Sequence, residues 1–195
     1  MVASGLGSRL MTLLFLCLAL AACATTLPGC DEPHAGGEDA NMEEVKLAGK
    51  TFKLDLALNN QTRFKGLSGR TEIPEDGGML FVFADKQVRS QSFVMRDCPV
   101  PIDIIYLDRS ARIVAMHEMT IEPERTEAEK VLSAVAGSPD WANQNDVYEE
   151  RLKRYPSKYA TQFVIELKGG TLKTLGLKEG QKIDLNTAAL KKRAE

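Results

Sequence analysis

The chain has 195 residues, 25 basic and 27 acidic, for a formal net charge of −2. That length suits one domain with enough chain to enclose a core. The slightly acidic balance argues against nucleic acid as a partner, because phosphate binding draws on a clustered basic face.

The N-terminus reads as an export signal. Arg9 supplies a short basic region, Leu10 to Leu20 is an unbroken apolar run, and Ala21-Ala22-Cys23 follows with small side chains. The run falls short of the ~20 apolar residues that a spanning helix needs. Residues 1–22 are therefore expected to be a signal peptide. Leu20-Ala21-Ala22-Cys23 resembles the lipobox of bacterial lipoproteins. The resemblance implies acylation of Cys23 and anchoring in the cell envelope, facing the periplasm from an outer membrane where the source has one. An ordinary cleaved signal with Cys23 incidental is the alternative; Leu27-Pro28-Gly29-Cys30 is a poorer site, with Pro where a flexible residue is usual.

Residues 23–44 are rich in Gly, Pro and acids, without apolar periodicity, and read as a flexible tether. Cys17 leaves with the signal, so Cys30 and Cys98 remain as an even pair in an oxidising compartment. Whether their sulfurs meet is a matter of geometry that spacing leaves open.

The β domain is expected over 45–187, mostly with a period of two. Phe52, Leu54, Leu56 and Leu58 alternate with Lys53, Asp55 and Ala57 as a half-buried strand. Asn59 to Lys65 forms a short helix closed by Gly66, and Gly78 to Phe83 is a buried strand. Ser92 to Met95, Ile102 to Leu107 and Arg112 to Met119 follow, separated by Pro99, Pro101 and an Asp108-Arg109-Ser110 turn. Residues 123–154 read as a two-helix insert, with a Thr126/Glu129 capping box and Trp141, Tyr148, Leu152 and Tyr155 on one face. Gln162 to Leu167 and Lys182 to Leu185 complete the strands, with a short helix at Thr171 to Leu175. Residues 188–195 read as a frayed basic tail.

Several motifs occur together in order. Arg63-Phe64-Lys65-Gly66-Leu67-Ser68-Gly69-Arg70, Gly77-Gly78-Met79-Leu80-Phe81-Val82-Phe83, Phe93-Val94-Met95-Arg96-Asp97 and Pro101-Ile102-Asp103-Ile104-Ile105-Tyr106-Leu107-Asp108 resemble the run of motifs in the domain of unknown function 192 family. Tyr159 to Leu167, Gly169-Gly170 and Leu175-Gly176-Leu177-Lys178-Glu179-Gly180 resemble its closing segment. The resemblance spans roughly residues 45–185 and implies a mainly β, sandwich-like or partly open barrel domain, without an agreed activity. The chain departs from the pattern at Val94, where the family carries Trp, at Asp97 for Asn and at Gln181 for Asp.

Asp103 stands out because a carboxylate inside a strand is costly to bury unless paired. Arg70 and Arg96 are its expected partners, forming an ion pair or, with Met95, the floor of a pocket. No nucleophile-elbow signature surrounds any Ser, no zinc spacing occurs, and Cys98 with His117 lacks a supporting signal. His117 and Met119 share a strand face, and with Met95 they resemble half of a periplasmic copper-chaperone motif suited to Cu(I). The preceding ligand of that motif falls on Ala84, which cannot bind metal. The leading expectation is a lipid-anchored envelope binding or accessory module with an unknown ligand or protein partner and no cofactor. The rivals are a hydrolase with Asp103 as base and a Cu(I)-handling protein using Met95, His117 and Met119.

Overall fold

Alternating apolar residues become strands throughout the computed structural model, which describes residues 41–195. The signal peptide, Cys23, Cys30, His34 and most of the expected tether lie outside the described residues. The chain runs β1 (Met42–Leu47), β2 (Lys50–Ala57), α1 (Asn60–Lys65), β3 (Gly77–Val82), β4 (Arg89–Phe93), β5 (Ile102–Leu107) and β6 (Ile113–Met119). The remainder is α2 (Asp146–Arg151), β7 (Tyr155–Thr161), β8 (Phe163–Lys168), α3 (Thr171–Leu175) and α4 (Thr187–Arg193). The expected mainly β, sandwich-like and partly open architecture is what forms.

Six strands make one sheet in the order β1-β2-β3-β8-β5-β6, and β4 pairs with β7 in a second. Within the large sheet only β2 and β3 run parallel. The parallel step needs a crossover, which α1 and the loop after it provide. Side chains alternate across the sheet, so each face builds its own core. Leu54, Leu56, Leu80, Ile105, Phe163 and Ile165 line one face, covered by Leu172, Leu175, Ile183 and Leu190 from the C-terminal segment. Met79, Phe81, Ile104, Tyr106, Ala115 and Val164 line the other, packed against Met95, Cys98 and Tyr155.

Two close approaches explain glycines in the recognised motifs. A Cβ on Gly78 would lie 2.2 Å from the carbonyl oxygen of Glu166 on β8, and one on Gly169 would lie 2.6 Å from Pro101 Cβ. At the β5–β6 turn, Asp108 Oδ1 accepts from Ser110 N at 2.7 Å and from Arg112 N at 2.9 Å, forming the expected turn.

Four expectations change. The tether ends sooner than expected, since Met42–Glu44 already belong to β1. Lys182 to Leu185 is no full strand: single bridges join Lys182 to Arg112 and Asp184 to Lys46, tying the two edges of the sheet together over Ile183. The basic tail folds as α4, capped by Asn186, whose Oδ1 accepts from Ala189 N at 3.1 Å, and anchored by Leu190 at 1% exposure. The insert is mostly irregular: 3-10 turns at Ala128–Lys130 and Asp140–Ala142 precede α2, and Tyr155 begins β7. Half of the capping box forms, with Thr126 N donating to Glu129 Oε2 at 2.8 Å. The helix then fails to grow because the Asn145 amide donates to the Ala128 and Val131 carbonyls, acceptors that a continuing helix would use.

Candidate functional site

The α1 helix starts with Asn59 capping Thr62 N at 2.9 Å and ends at Gly66, whose N–H donates to the Thr62 carbonyl. Gly66 has φ 51°, a left-handed setting that favours glycine. A Cβ there would sit 3.4 Å from Phe81 Cζ and 3.7 Å from Glu166 Oε2. The bare backbone at Gly66 thus roofs one corner of an open cleft of about 420 Å³.

Aromatic rings form its walls. Phe64 meets Trp141 edge-on at 5.6 Å, and Phe81 and Phe93 meet at 5.1 Å. Arg96 lies 4.4 Å over the Phe64 ring and Arg63 lies 5.2 Å over that of Phe83, so cations back two of the rings. Arg63 is held by the Leu58 and Val82 carbonyls, both at 2.7 Å, and Arg96 by both oxygens of Glu149 at 2.5 and 2.6 Å. Lys65 and Arg154 also line the mouth, exposed.

Glu166 lines the floor. It follows Val164 on the aromatic face of β8, opposite Met79 on β3 and Ile104 on β5. The residue is 4% exposed, and its Oε2 has no hydrogen-bond partner. Burial pushes the carboxyl up to about 8, against a weaker pull from the Arg70 charge. A neutral, unpartnered acid in an aromatic cleft is the pattern by which buried polar groups mark functional sites.

Behind it, Cys98 lines both this cleft and a second of about 400 Å³ that also holds Met95, Asp97, Ile121, Arg125 and Tyr148. Cys98 is a buried free thiol, pushed up to about 12 first by burial and then by Glu166. The insert is clamped here. Arg125 donates to both Asp97 oxygens at 2.7 and 2.8 Å and lies 3.6 Å over the Tyr148 ring, which Arg151 approaches to 4.7 Å. The Arg125 guanidinium holds the Asp97 carboxyl below its usual range. These contacts fix the segment that carries Trp141, and hence one cleft wall.

The residues singled out from sequence do not converge. Asp103 pairs with neither arginine; it faces the other core with Ile105 and Leu107, and its Oδ2 accepts from Leu172 N at 2.7 Å where α3 begins. Burial raises its carboxyl, and hydrogen bonds from the Leu172 and Gly170 backbone oppose that. Arg70 instead binds Asp55 at 2.5 Å. Arg96 reaches the aromatic cleft and Met95 the second one. Met95 and Met119 are core side chains at 1% and 2% exposure, while His117 Nε2 bonds the Pro156 carbonyl at 2.8 Å between the Tyr106 and Tyr155 rings. Among the described residues, no group of three or more His, Cys, Asp and Glu could hold a metal ion. Glu166 escaped notice, although the rule applied to Asp103 fits it: it is the one acid within the apolar run Phe163-Val164-Ile165-Glu166-Leu167.

Fold and cleft together define a small mainly β domain with an aromatic pocket over a buried carboxyl. The profile of the family described as "Uncharacterized ACR", domain of unknown function 192, matches residues 43–185, and the chain belongs to that family. Two solved structures share the fold. One is a Sinorhizobium meliloti 1021 protein named as a candidate transcription regulator, with TM-score 0.54 and 23% identity, covering 73% of this chain and 92% of its own. The other is a Novosphingobium aromaticivorans DSM 12444 protein of unknown function, with TM-score 0.54 and 22% identity, covering 74% of this chain and 85% of its own. No curated protein matches the chain.

Proposed function

We propose that this protein is a small-ligand-binding accessory domain, exported and held at the envelope membrane by lipid on Cys23. The observation that carries the binding reading is Glu166: a buried carboxyl, with one oxygen unpartnered, on the floor of an open aromatic cleft. Such a group costs stability while it stays unpaired, and a bound ligand can supply the missing partner. An acid–base reaction of the two-carboxylate kind is less well supported, because Glu166 is the single acid among the described residues lining the cleft. Asp103 as a hydrolytic base has its Oδ2 engaged by the Leu172 backbone on the far face of the sheet, and a Cu(I) site has its imidazole Nε2 bonded to Pro156. The lipobox at Cys23 supports the address.

The chain holds one tryptophan, and Trp141 is in the cleft wall, so its emission reads occupancy directly. A screen of anionic, neutral and cationic small molecules is expected to yield ligands that change Trp141 emission and raise the melting temperature. Val94 also lines the cleft, so Val94→Trp should fill it and remove the rise in melting temperature, the readout that a second tryptophan leaves clean. A screen in which no class moves either readout overturns the binding reading. For the address, Cys23→Ala in the full chain should move the protein from the membrane fraction to the soluble one, and unchanged fractionation refutes the anchor.

A further inference from the structure

We infer that the aromatic cleft selects an apolar-bodied anion, its ring-sized body among Phe81, Phe83, Phe93 and Trp141 and its negative group at Lys65 and Arg154. The inference rests on the binding reading and adds the chemical class of the ligand. The body follows from the walls: the deep part of the cleft is phenyl rings and Leu67, with Glu166 and Cys98 as the polar groups beneath. Burying flat apolar surface against such rings is the main source of affinity in a site of this kind.

The sign of the charge follows from which ions are already satisfied. Four cations line the cleft, and Glu166 is the only acid there among the described residues. Arg96 is neutralised by its two bonds to Glu149. Arg63 spends its donors on the Leu58 and Val82 carbonyls, on the negatively charged backbone oxygen of Glu195, and on Asn60 and Gln87. Lys65 and Arg154 hold no carboxylate among the described residues; Arg154 has only a 3.4 Å contact to the Glu149 carbonyl. They are the two cations at the mouth with capacity left for an incoming anion.

Burial reinforces the same choice, since an acid kept in its protonated form neither repels an anion nor attracts a cation. An ammonium ligand would have to pass Lys65, Arg63, Arg96 and Arg154 to reach the carboxyl, and would meet it uncharged. Phe83 and Phe64 already carry the Arg63 and Arg96 cations, whose charge would repel a ligand cation at either ring.

Matched fluorescent probes test this on the purified full chain. The anion 8-anilinonaphthalene-1-sulfonate and neutral N-phenyl-1-naphthylamine share one ring body and differ by the sulfonate. The anion should bind saturably, one per chain, with energy transfer from Trp141, and about tenfold more tightly than the neutral probe, the scale of two exposed ion pairs. In the double variant Lys65→Glu/Arg154→Glu the ratio of the two affinities should fall to one or reverse, whatever the change in the neutral probe's own affinity. Val94→Trp should remove both probes. Equal affinity for the two probes, or a preference that survives the charge reversal, overturns the inference and leaves the cleft intact as a binding site. Failure of both probes to bind, or binding indifferent to Val94→Trp, removes the binding reading itself.

Discussion

Glu166 makes a quantitative demand on stability. In the unfolded chain its carboxyl ionises near 4.5, and in the folded protein near 8. Between those values the folded state holds the extra proton, so stability falls as pH rises through the window, by ~1.4 kcal/mol per unit for this one group. Below about 4.5 both states are protonated and the group is neutral in its effect; above about 8 both are ionised and the loss is complete. Glu166→Gln keeps the shape and polarity of the acid and removes its titration. The variant should match the wild type near pH 4.5 and exceed it by about 3 kcal/mol at pH 7. For a domain of this size that is a rise of roughly 6–12 °C in melting temperature.

The assay is thermal or urea unfolding of both proteins at half-unit steps from pH 4 to 9, taking the difference at each step so that every other titrating group cancels. A Glu166→Gln protein whose advantage grows with pH and levels off above about 8 fits the buried-acid account. A variant that tracks the wild type at every pH shows a carboxyl that titrates alike in both states, and one whose disadvantage grows with pH shows an ionised and partnered Glu166; either refutes it. A stabilising substitution at a buried acid would also identify the wild-type residue as one retained for reasons other than the fold.

Other measurements probe the frame around the cleft. Gly78→Ala should destabilise by about 2–3 kcal/mol in urea unfolding, because a Cβ 2.2 Å from the Glu166 carbonyl oxygen forces β3 and β8 apart. Cys98 should react with iodoacetamide about a thousandfold more slowly in the folded protein at pH 8 than after unfolding, since a thiol held near 12 rather than 9 presents that much less thiolate. Leu190→Ala should cost about 2–4 kcal/mol, read as a lower melting temperature, because α4 inserts this side chain at 1% exposure beneath the sheet edge. Asp97→Asn should flatten the acid limb of the stability profile: the depressed carboxyl contributes above its ordinary value of 3.8 and loses that contribution as pH falls through its lowered one.

Most of the sheet was legible because β2 and β6 alternate with a period of two, while β5 and β8 are short apolar runs buried on both faces and bounded by turn residues. What escaped had local signals that tertiary contacts outvote. Acids in Met42–Leu47 resemble the tether before them, yet Val45 and Leu47 are fully buried once β2 pairs alongside. Pro156 hides β7, a strand that tolerates proline because it pairs only with β4, near a shift in register. The insert carries real helix signals at Thr126 and Glu129, but Glu129 also binds Arg151 at 2.6 Å, and that ion pair with the Asn145 bonds holds the turn open.

The two strand carboxylates show why the site was harder to read than the fold. Asp103 and Glu166 lie on adjacent strands, and in register Asp103 faces Leu167 while Ile104 faces Glu166. That offset of one residue sends them to opposite faces of the sheet. On its face Asp103 meets a ready donor in the backbone that opens α3, so burial is answered locally. On the other, Glu166 meets phenyl rings and the bare Gly66, with an arginine near enough to be felt and too committed to Asp55 to pair with it. Sequence flags both residues by the same rule and cannot rank them, because the ranking lies in what each face brings. The departure at Val94 then acquires a consequence: a Trp there, as in the motif this segment resembles, would occupy space in the cleft that Val94 leaves open. Closing the cleft by that single residue is therefore the substitution that separates ligand binding in this pocket from binding elsewhere on the domain.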